Sequence, residues 1–332
     1  MLSNISPYLK GLEMKPEARF ENMAVFPLIH DNGPGVSYLT LDEALDLRVI
    51  EVTEVSETGE VPNLLVINKA ESPILILAGE ELVGAKQNRL VNATFLVAGL
   101  SKLTVPVSCV EEGRWSYQER EFKSEKRMSS PQLRSKVQED VSHSVREGEG
   151  YLADQFRVWE DISAKSARMQ VQSDTLAMAA LYGSYDDRLK DYTTQFRRLS
   201  GQTGFLAAIN GSLAGMEIFD SADHLAKYFD KLIQSYALDA IDLKRQRPRS
   251  SSQASKEQAE TWVTEVKNAP VAANPSLGLG LDLRIEGKGF VGSGLLFDET
   301  LVYFSVFARA VEGERQNSGS CMARASRRGI FR

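Results

Sequence analysis

The stretch that decides the fold is residues 72–99, "SPILILAGEELVGAKQNRLVNATFLVAG". Two apolar runs rich in Ile, Leu and Val enclose a polar segment, and short runs of this kind bounded by Gly, Pro and Asn predict β-strands. The polar segment is either the solvated face and turn of a hairpin or part of a site. Its members are Glu80, Glu81, Lys86, Gln87, Asn88 and Arg89.

Similar runs lie on both sides of this stretch. They are "ENMAVFPLIH", "LRVIEVTEV" and "PNLLVINKA" before it and "LTVPVSCVEEG" after it. Between the first two, "YLTLDEALDLR" predicts a brief helix that starts at Thr40 or Asp42. Consecutive strands joined by short turns favour an antiparallel sheet, arranged as a sandwich or a half-open barrel.

The pattern changes after Trp115. The charged segment 116–130 predicts an exposed loop, and a helical pattern with apolar residues at a spacing of four follows from Ser130. Asn210-Gly211 predicts a hairpin turn, and Ser221 predicts the cap of a further helix. A last helix in "KEQAETWVTEVKNA" and three closing strands complete the pattern.

These elements predict an α+β fold with an antiparallel β-rich core and a central helical insertion. We expect one domain over residues 1–310, with strands at about 20–115 and the insertion at about 130–200. The hairpin and later helices then occupy about 203–268, and the terminal strands about 277–308. Residues 311–332, rich in Arg, Ser and Gly, predict a disordered tail.

Composition narrows the classes of partner. The 332 residues carry a net charge of −6 with a pI near 5.4, which argues against a chain-wide surface for nucleic acid or anionic membranes. No apolar run is long enough to span a bilayer, and the N-terminus lacks the pattern of a signal peptide. With only two cysteines and no disulfide framework, we expect a cytoplasmic protein.

Several common site motifs are absent or out of context. Gly287, Gly289 and Gly292 form a GxGxxG string, but β-like residues follow it, so a glycine-rich hairpin is the favoured interpretation. The histidines at 30, 143 and 224 lack companions at ligand spacing, so we predict surface or capping roles and no metal site. Neither GxSxG nor a P-loop occurs.

The remaining candidates cluster at strand ends. Glu81 and Glu111 are the candidate catalytic residues, because carboxylates can transfer protons. The candidate ligand-binding residues offer charge, an amide and an aromatic face, and they are Lys86, Gln87, Arg89, Arg114 and Trp115. The alternative is a set of solvated loop charges, with Trp115 covering the edge of the core.

Two further features favour structural roles. Cys109 lies inside an apolar strand, which predicts a buried and inert thiol. Phe156, Trp159 and Ile162 fall on one face of a predicted helix, and core packing explains them better than a cofactor site.

Five stretches together resemble a known family: "FENMAVFPL", "LAGEELVGAKQNRLVNATFLV", "VPVSCVEEGRW", "QFRVW" and "GSGLLFDE". They are similar to the ADP-ribosylglycohydrolase- and rhodanese-phosphatase-associated protein domain over about residues 15–310. The matching positions are Glu81, Gly84, Lys86, Gln87, Arg89, Cys109, Glu111, Gly113, Arg114, Trp115, Gln155 and Trp159. The family's function is undefined, and its name implies only an association with NAD or ADP-ribose metabolism.

Two hypotheses follow. In the first, the polar residues form a pocket for an ADP-ribose-like or other NAD-derived ligand: Arg89 and Arg114 grip phosphate and Lys86 adds charge. Glu81 or Glu111 acts as general base or as acceptor for a ribose hydroxyl, Gln87 orients the ligand and Trp115 stacks on its nucleobase. Hydrolysis or group transfer at a ribosyl or phosphoryl centre would be the reaction, and no cofactor is identified.

In the second hypothesis, the chain is a non-catalytic interaction module. The helical region at about 130–200 would dock a protein partner, and the polar residues would form a structural network that fixes the β-turns.

Overall fold

The computed structural model describes residues 3–30, 35–56, 62–116, 121–246 and 253–309. Within these ranges it has seven α-helices and eighteen strands. The strands form mostly antiparallel sheets, one of them curved as a half-barrel, so the predicted α+β class with a β-rich core is confirmed.

The elements of the first half follow a short 3-10 helix at Ser6–Leu9. They are β1 (Glu13–Met14), β2 (Ala18–Phe20), β3 (Met23–Ile29), β4 (Leu39–Thr40), α1 (Leu41–Asp46), β5 (Ile50–Glu54), β6 (Asn63–Asn68), β7 (Ile74–Ile76), β8 (Glu80–Gly84), β9 (Arg89–Val91), β10 (Phe95–Val97), β11 (Lys102–Cys109) and β12 (Phe122–Met128).

The second half begins with four helices. Its elements are α2 (Pro131–Arg146), α3 (Gln155–Met169), α4 (Met178–Ser184), α5 (Asp186–Gln195), β13 (Gln202–Ile209), β14 (Ser212–Phe219), α6 (Ala222–Gln246), α7 (Lys256–Asn268), β15 (Val271–Pro275), β16 (Leu281–Gly287), β17 (Phe290–Phe297) and β18 (Thr300–Ala308).

Three sheets are formed. The nine-stranded sheet has the order β1-β3-β13-β14-β18-β17-β16-β15, with β2 also paired to β3. The six-stranded sheet has the order β12-β8-β9-β11-β6-β5. The third sheet is β10-β7-β4, in which β4 and β7 run parallel. The large sheet therefore joins strands from both ends of the chain.

Local signals explain several boundaries. Thr40 caps α1 through a capping box with Glu43, because each side chain bonds the other residue's backbone N–H. Asn210 and Gly211 have φ values of 50° and 80°, the left-handed conformations that a tight hairpin needs, and they join β13 to β14. The GxGxxG string likewise forms the hairpin between β16 and β17.

The helices cover the sheets and bury one large core. Leu133, Val137 and Val141 of α2 are buried at the predicted spacing of four. Helix α6 packs against β12 and β13, and α3 packs against β11. One hydrophobic cluster therefore includes residues of the six-stranded sheet, the helices and the nine-stranded sheet. A second cluster joins the large sheet to α7.

Three predictions need correction, and two elements were missed. The charged segment 116–130 is not one loop, since part of it forms β12, the edge strand beside β8. His30 and His224 are buried, at 6% and 8% exposure, so of the two predicted roles, surface or capping, the surface role is wrong for them. Phe156 is 71% exposed and does not pack in the core. Helix α4 and strand β15 were not predicted.

Two predictions lie partly or wholly outside the described residues: the loop character of residues 117–120 and the disordered tail at 311–332.

Candidate functional site

Strand β8 divides the predicted site residues between two faces of the six-stranded sheet. In its antiparallel pairing with β9, Glu81 lies opposite Leu90 and Leu82 lies opposite Arg89. Opposed residues share a face and neighbours along a strand alternate. Glu81 and Arg89 therefore project to opposite faces, and the sequence prediction that they belong to one cluster is not met directly.

Arg89 is fully buried and bonded inside the protein. One Nη atom donates to Gln87 Oε1 at 3.0 Å and to Cys109 Sγ at 2.9 Å. The other Nη lies 3.4 Å from Glu54 Oε1, a carboxylate that the sequence analysis did not include. The guanidinium thus already has an internal counter-ion and acceptors on its own face of the sheet.

Cys109 is a buried thiol, as predicted, with no exposed surface. Burial raises its pKa to about 11, although the neighbouring Arg89 partly offsets this rise, so the thiol stays protonated at neutral pH. The Gln155 side chain pairs with the Cys109 main chain, accepting from N at 2.7 Å and donating to O at 2.8 Å. This pair of hydrogen bonds anchors α3 on β11.

Glu111 and Arg114 form a second internal unit. Arg114 Nε donates to Glu111 Oε2 at 2.9 Å, and its other nitrogens donate to the carbonyls of residues 84, 85 and 116 and to Asn88 Oδ1. Thr175 Oγ1 donates to Glu111 Oε1 at 2.9 Å. Burial alone would raise the pKa of Glu111, but Arg114 and Thr175 lower it, so this carboxyl is ionised at neutral pH.

Gln87 connects the two units. Its Nε2 donates to the Glu111 carbonyl at 2.9 Å while its Oε1 accepts from Arg89. The 84–88 turn is therefore held from both sides by buried side chains, which is what a structural network predicts.

Lys86 and Trp115 are the accessible members of the predicted set. Trp115 is 49% exposed. Lys86 Nζ lies 5.3 Å from the Trp115 ring centroid and Arg89 Cζ lies 5.7 Å from it, both within the range of cation–π attraction. The indole thus covers Arg89 and leaves part of its surface to solvent, where a planar ligand could stack.

Glu81 differs from every other member of the predicted set. It is 1% exposed, and neither carboxylate oxygen has a hydrogen-bond partner among the described residues. Burial raises its pKa to about 7; Arg127 and the nearby Asn88 amide, which does not reach hydrogen-bond geometry with either oxygen, partly offset the rise, and Glu111 and Glu125 add to it. A buried carboxyl without a partner is rare, and such groups concentrate at functional sites.

The surroundings of Glu81 include residues that the sequence analysis missed. Strand β12 pairs with β8 through Ser124 and Met128, and the residues between them, 125–127, bulge opposite Glu81. Arg127 lies in this bulge with its Cζ 6.0 Å from the Tyr182 ring centroid. The Tyr182 hydroxyl donates to the Met128 carbonyl, which ties α4 to the same strand.

Glu80, the neighbour of Glu81, provides a contrast. It is equally buried at 1% exposure, yet Lys231 of α6 pairs with it and the Leu77 N–H donates to it at 2.7 Å. Lys231 also donates to Asp42 at 2.8 Å. Burial alone would lower the pKa of Lys231, but Glu80 and Asp42 raise it. Every charge in this unit has its partner.

The described ranges contain no group of three or more His, Cys, Asp or Glu side chains placed to hold a metal ion. Among the helices that can be described, none is long and apolar enough to cross a membrane.

Comparison with protein families gives a match over most of the chain. The model of the family described as "ARG and Rhodanese-Phosphatase-superfamily-associated Protein domain" matches residues 11–307. Because the match spans most of the chain, the chain belongs to this family, and the predicted resemblance is confirmed at that level. No curated protein and no solved structure matches.

Proposed function

We propose that this chain binds a small molecule beside strand β8 and that Glu81 exchanges a proton with it. One observation carries the proposal: Glu81 is a buried carboxyl whose two oxygens lack partners, while the neighbouring carboxyls Glu80 and Glu111 are paired. An unpaired buried carboxyl lowers the stability of the folded protein, so a functional role explains its presence best.

Glu81 and Glu111 have the asymmetry expected of an acid–base pair. Burial raises the pKa of Glu81 to about 7, whereas Arg114 and Thr175 keep the pKa of Glu111 below its ordinary value. Two carboxyls whose environments separate their pKa values can divide the roles of proton donor and ionised group. We assign proton transfer to Glu81, and to Glu111 the fixed negative charge that helps to hold the Glu81 proton.

The predicted ligand-binding residues fall into two groups, those accessible to a ligand and those bonded inside the protein. Lys86 and Trp115 are placed to meet a ligand at the surface, the one as a charge and the other as a stacking face. Arg89, Arg114 and Gln87 could meet a ligand only by giving up internal bonds. Their main role in this proposal is to fix the turn that carries Lys86.

For the ligand we propose an ADP-ribose-like or other NAD-derived compound. This choice rests on interpreting "ARG" in the family's name as ADP-ribosylglycohydrolase. Such an association indicates a metabolic context and carries no mechanism. Hydrolysis or group transfer at a ribosyl or phosphoryl centre is the reaction class that needs a proton donor of near-neutral pKa.

A thermal-shift screen of the purified chain tests this proposal. The probes are NAD, ADP-ribose, AMP, nicotinamide and ribose phosphates, and a ligand at one hundred times its Kd adds about 2.7 kcal/mol of stability. We expect Glu81→Gln to keep the shift of a ligand that binds, while turnover of that ligand falls by about 10²- to 10⁴-fold.

Glu71→Gln is the matched control, because it makes the same chemical change at an exposed position. We expect it to retain both the shift and the turnover. Turnover of a ligand by Glu81→Gln at the wild-type rate would overturn the catalytic role, and the lack of any shift would overturn the small-molecule proposal.

The second candidate function is the non-catalytic interaction module. It is favoured by the internal bonding of Arg89, Arg114, Gln87 and Glu111, which a purely structural network explains. Helix α3 also exposes Phe156, which a protein partner could cover. If the screen gives no shift, Phe156→Ala would be tested for loss of partner binding, with Leu277→Ala, an exposed apolar side chain outside the helical region, as control.

A further inference from the structure

Opposite Glu81, strand β12 has a bulge that carries the cation Arg127. Ser124 lies opposite Leu82 and Met128 lies opposite Glu80, so three residues of β12 face the single residue Glu81. Lys126, in the middle of the bulge, has a φ of 55°. This kink displaces the strand locally and sets the direction of Arg127, and bulges are enriched beside functional sites for this reason.

Arg127 is half-buried and has no hydrogen bond or ion pair with any residue in the described ranges. The other buried arginines of the six-stranded sheet region are bonded: Arg89 to Gln87 and Glu54, and Arg114 to Glu111 and several carbonyls. A guanidinium has five N–H donors in a planar fork that matches the oxygens of phosphate or carboxylate. The donors of Arg127 are therefore available to an anion.

Tyr182 positions this guanidinium without using its donors. Arg127 Cζ lies 6.0 Å from the Tyr182 ring centroid, and the ring is buried and tied to β12 through the Met128 carbonyl. Cation–π attraction acts on the face of the guanidinium and leaves the N–H groups at its edge free. The aromatic platform thus orders the side chain before a ligand arrives, which lowers the entropy lost on binding.

Arg127 acts on Glu81 without pairing with it. Arg127 lowers the pKa of Glu81, which places the two groups in electrostatic reach, but neither Glu81 oxygen accepts a hydrogen bond from it. A ligand that carries an anionic group next to a hydroxyl or ether oxygen would satisfy both residues, the anion at Arg127 and the oxygen at the protonated Glu81.

We infer that Arg127 binds the anionic group of the ligand, so the substrate class is an oxyanion-bearing sugar derivative with its reactive oxygen at Glu81. This inference rests on the proposed function and gives it a specificity residue. It also moves anion recognition from Arg89 and Arg114 to a residue of the bulge.

Titration calorimetry on the full chain tests the inference with three kinds of probe. Ribose 5-phosphate and ADP-ribose carry phosphate, gluconate carries a carboxylate, and adenosine carries no anion. We expect Arg127→Gln to weaken binding of the phosphorylated probes by about tenfold or more, since a lost hydrogen bond to a charged group has that effect, and to leave adenosine binding unchanged. Arg127→Lys should fall between, because lysine keeps the charge and loses the planar fork.

Lys102→Gln is the matched control, as it removes one positive charge from an exposed position on β11. It should leave the affinity for every probe unchanged, which separates local recognition from net charge. Preferential weakening of gluconate over the phosphates would identify the carboxylate as the preferred anion and would still support Arg127 as its site.

Two results would overturn the inference in distinguishable ways. If the wild-type chain binds the phosphorylated probes and Arg127→Gln binds them equally well, Arg127 is not the anion site, although the proposed function stands. If the wild-type chain binds none of the probes, the proposed function fails and the inference fails with it. A melting curve of each variant checks folding, and Arg127→Lys provides the test if Arg127→Gln does not fold.

Discussion

Glu80 and Glu81 are neighbours of the same type with the same burial, and the fold treats them oppositely. Glu80 points to the face where Lys231 and the Leu77 N–H meet it, and Arg89 lies on the same face with its own partners. Glu81 points to the face where the β12 bulge, Tyr182 and Arg127 lie, and its oxygens have no partner among the described residues.

The difference shows that one strand can carry a glutamate that stabilises the fold on one face and a glutamate available for function on the other. Removal of one member of a buried, hydrogen-bonded ion pair is strongly destabilising, because its partner is left as an uncompensated buried charge. A buried carboxyl without a partner already carries its desolvation cost, so its removal is neutral or favourable for folding. We therefore expect removal of the Glu80 charge to destabilise the folded protein, and removal of the Glu81 charge to leave its stability unchanged or to raise it.

The largest effect is expected from Glu80→Gln. It leaves the Lys231 ammonium buried with only Asp42, and it weakens the acceptor of the Leu77 N–H. We expect a loss of about 3–5 kcal/mol in the free energy of unfolding, measured by urea denaturation at pH 7. A loss below about 1 kcal/mol would show that the buried Lys231 ammonium does not need Glu80 as its counter-ion, and it would contradict the contrast between Glu80 and Glu81.

Arg89→Met should have a smaller effect, because the Glu54 contact is long at 3.4 Å. The substitution still leaves the Glu54 carboxylate and the Gln87 oxygen without their donor. We expect a loss of about 2–4 kcal/mol in the same assay. The affinity of the folded variant for a ligand found in the screen should fall only as far as the turn that carries Lys86 shifts. A specific loss of affinity with little loss of stability would return Arg89 to the ligand site.

The effect of Glu81→Gln is expected in the pH dependence of stability. The pKa of Glu81 is about 7 in the folded protein, above the ordinary value of 4.5, so the folded state retains this proton where the unfolded state has lost it. Its contribution favours folding at low pH and is lost as pH rises from about 4.5 to 7, by at most about 3.5 kcal/mol, since one pKa unit corresponds to about 1.4 kcal/mol.

Parallel urea denaturations of the wild type and Glu81→Gln between pH 4.5 and 8 measure this difference. The variant should lose less stability than the wild type over that range. Glu71→Gln, at an exposed position, should follow the wild-type profile. Identical profiles for Glu81→Gln and the wild type would mean that Glu81 titrates like an ordinary carboxyl and has a partner in solution.

Much of the fold was predictable from local sequence signals. The β-forming runs of residues 72–99, the Asn210-Gly211 turn and the periodicity of α2 each rest on residues that are close in the chain. Each of the two runs was predicted as one strand, but the structure divides the first into β7 and β8 and the second into β9 and β10. Strand β12 was missed because its sequence, "FKSEKRM", alternates weakly and carries charge, as an edge strand often does.

The candidate site was predictable only as a set of residue types. The polar residues of the 80–89 segment were identified, but Glu54, Lys231, Arg127 and Tyr182, which decide what those residues do, come from distant elements. No local signal marks them, apart from the charge of the segment that contains Arg127.

The sequence by itself determined the strand-forming runs, the helical insertion, and the presence of two adjacent glutamates next to a turn, because propensity and periodicity are local. Only the tertiary structure decided which glutamate is paired. The register of β8 with β9 and the bulge of β12 assign each glutamate to a face, and the charges already fixed on each face determine whether burial is compensated. Pairing of a buried charge is a property of its distant neighbours, so it appears only when the chain is folded.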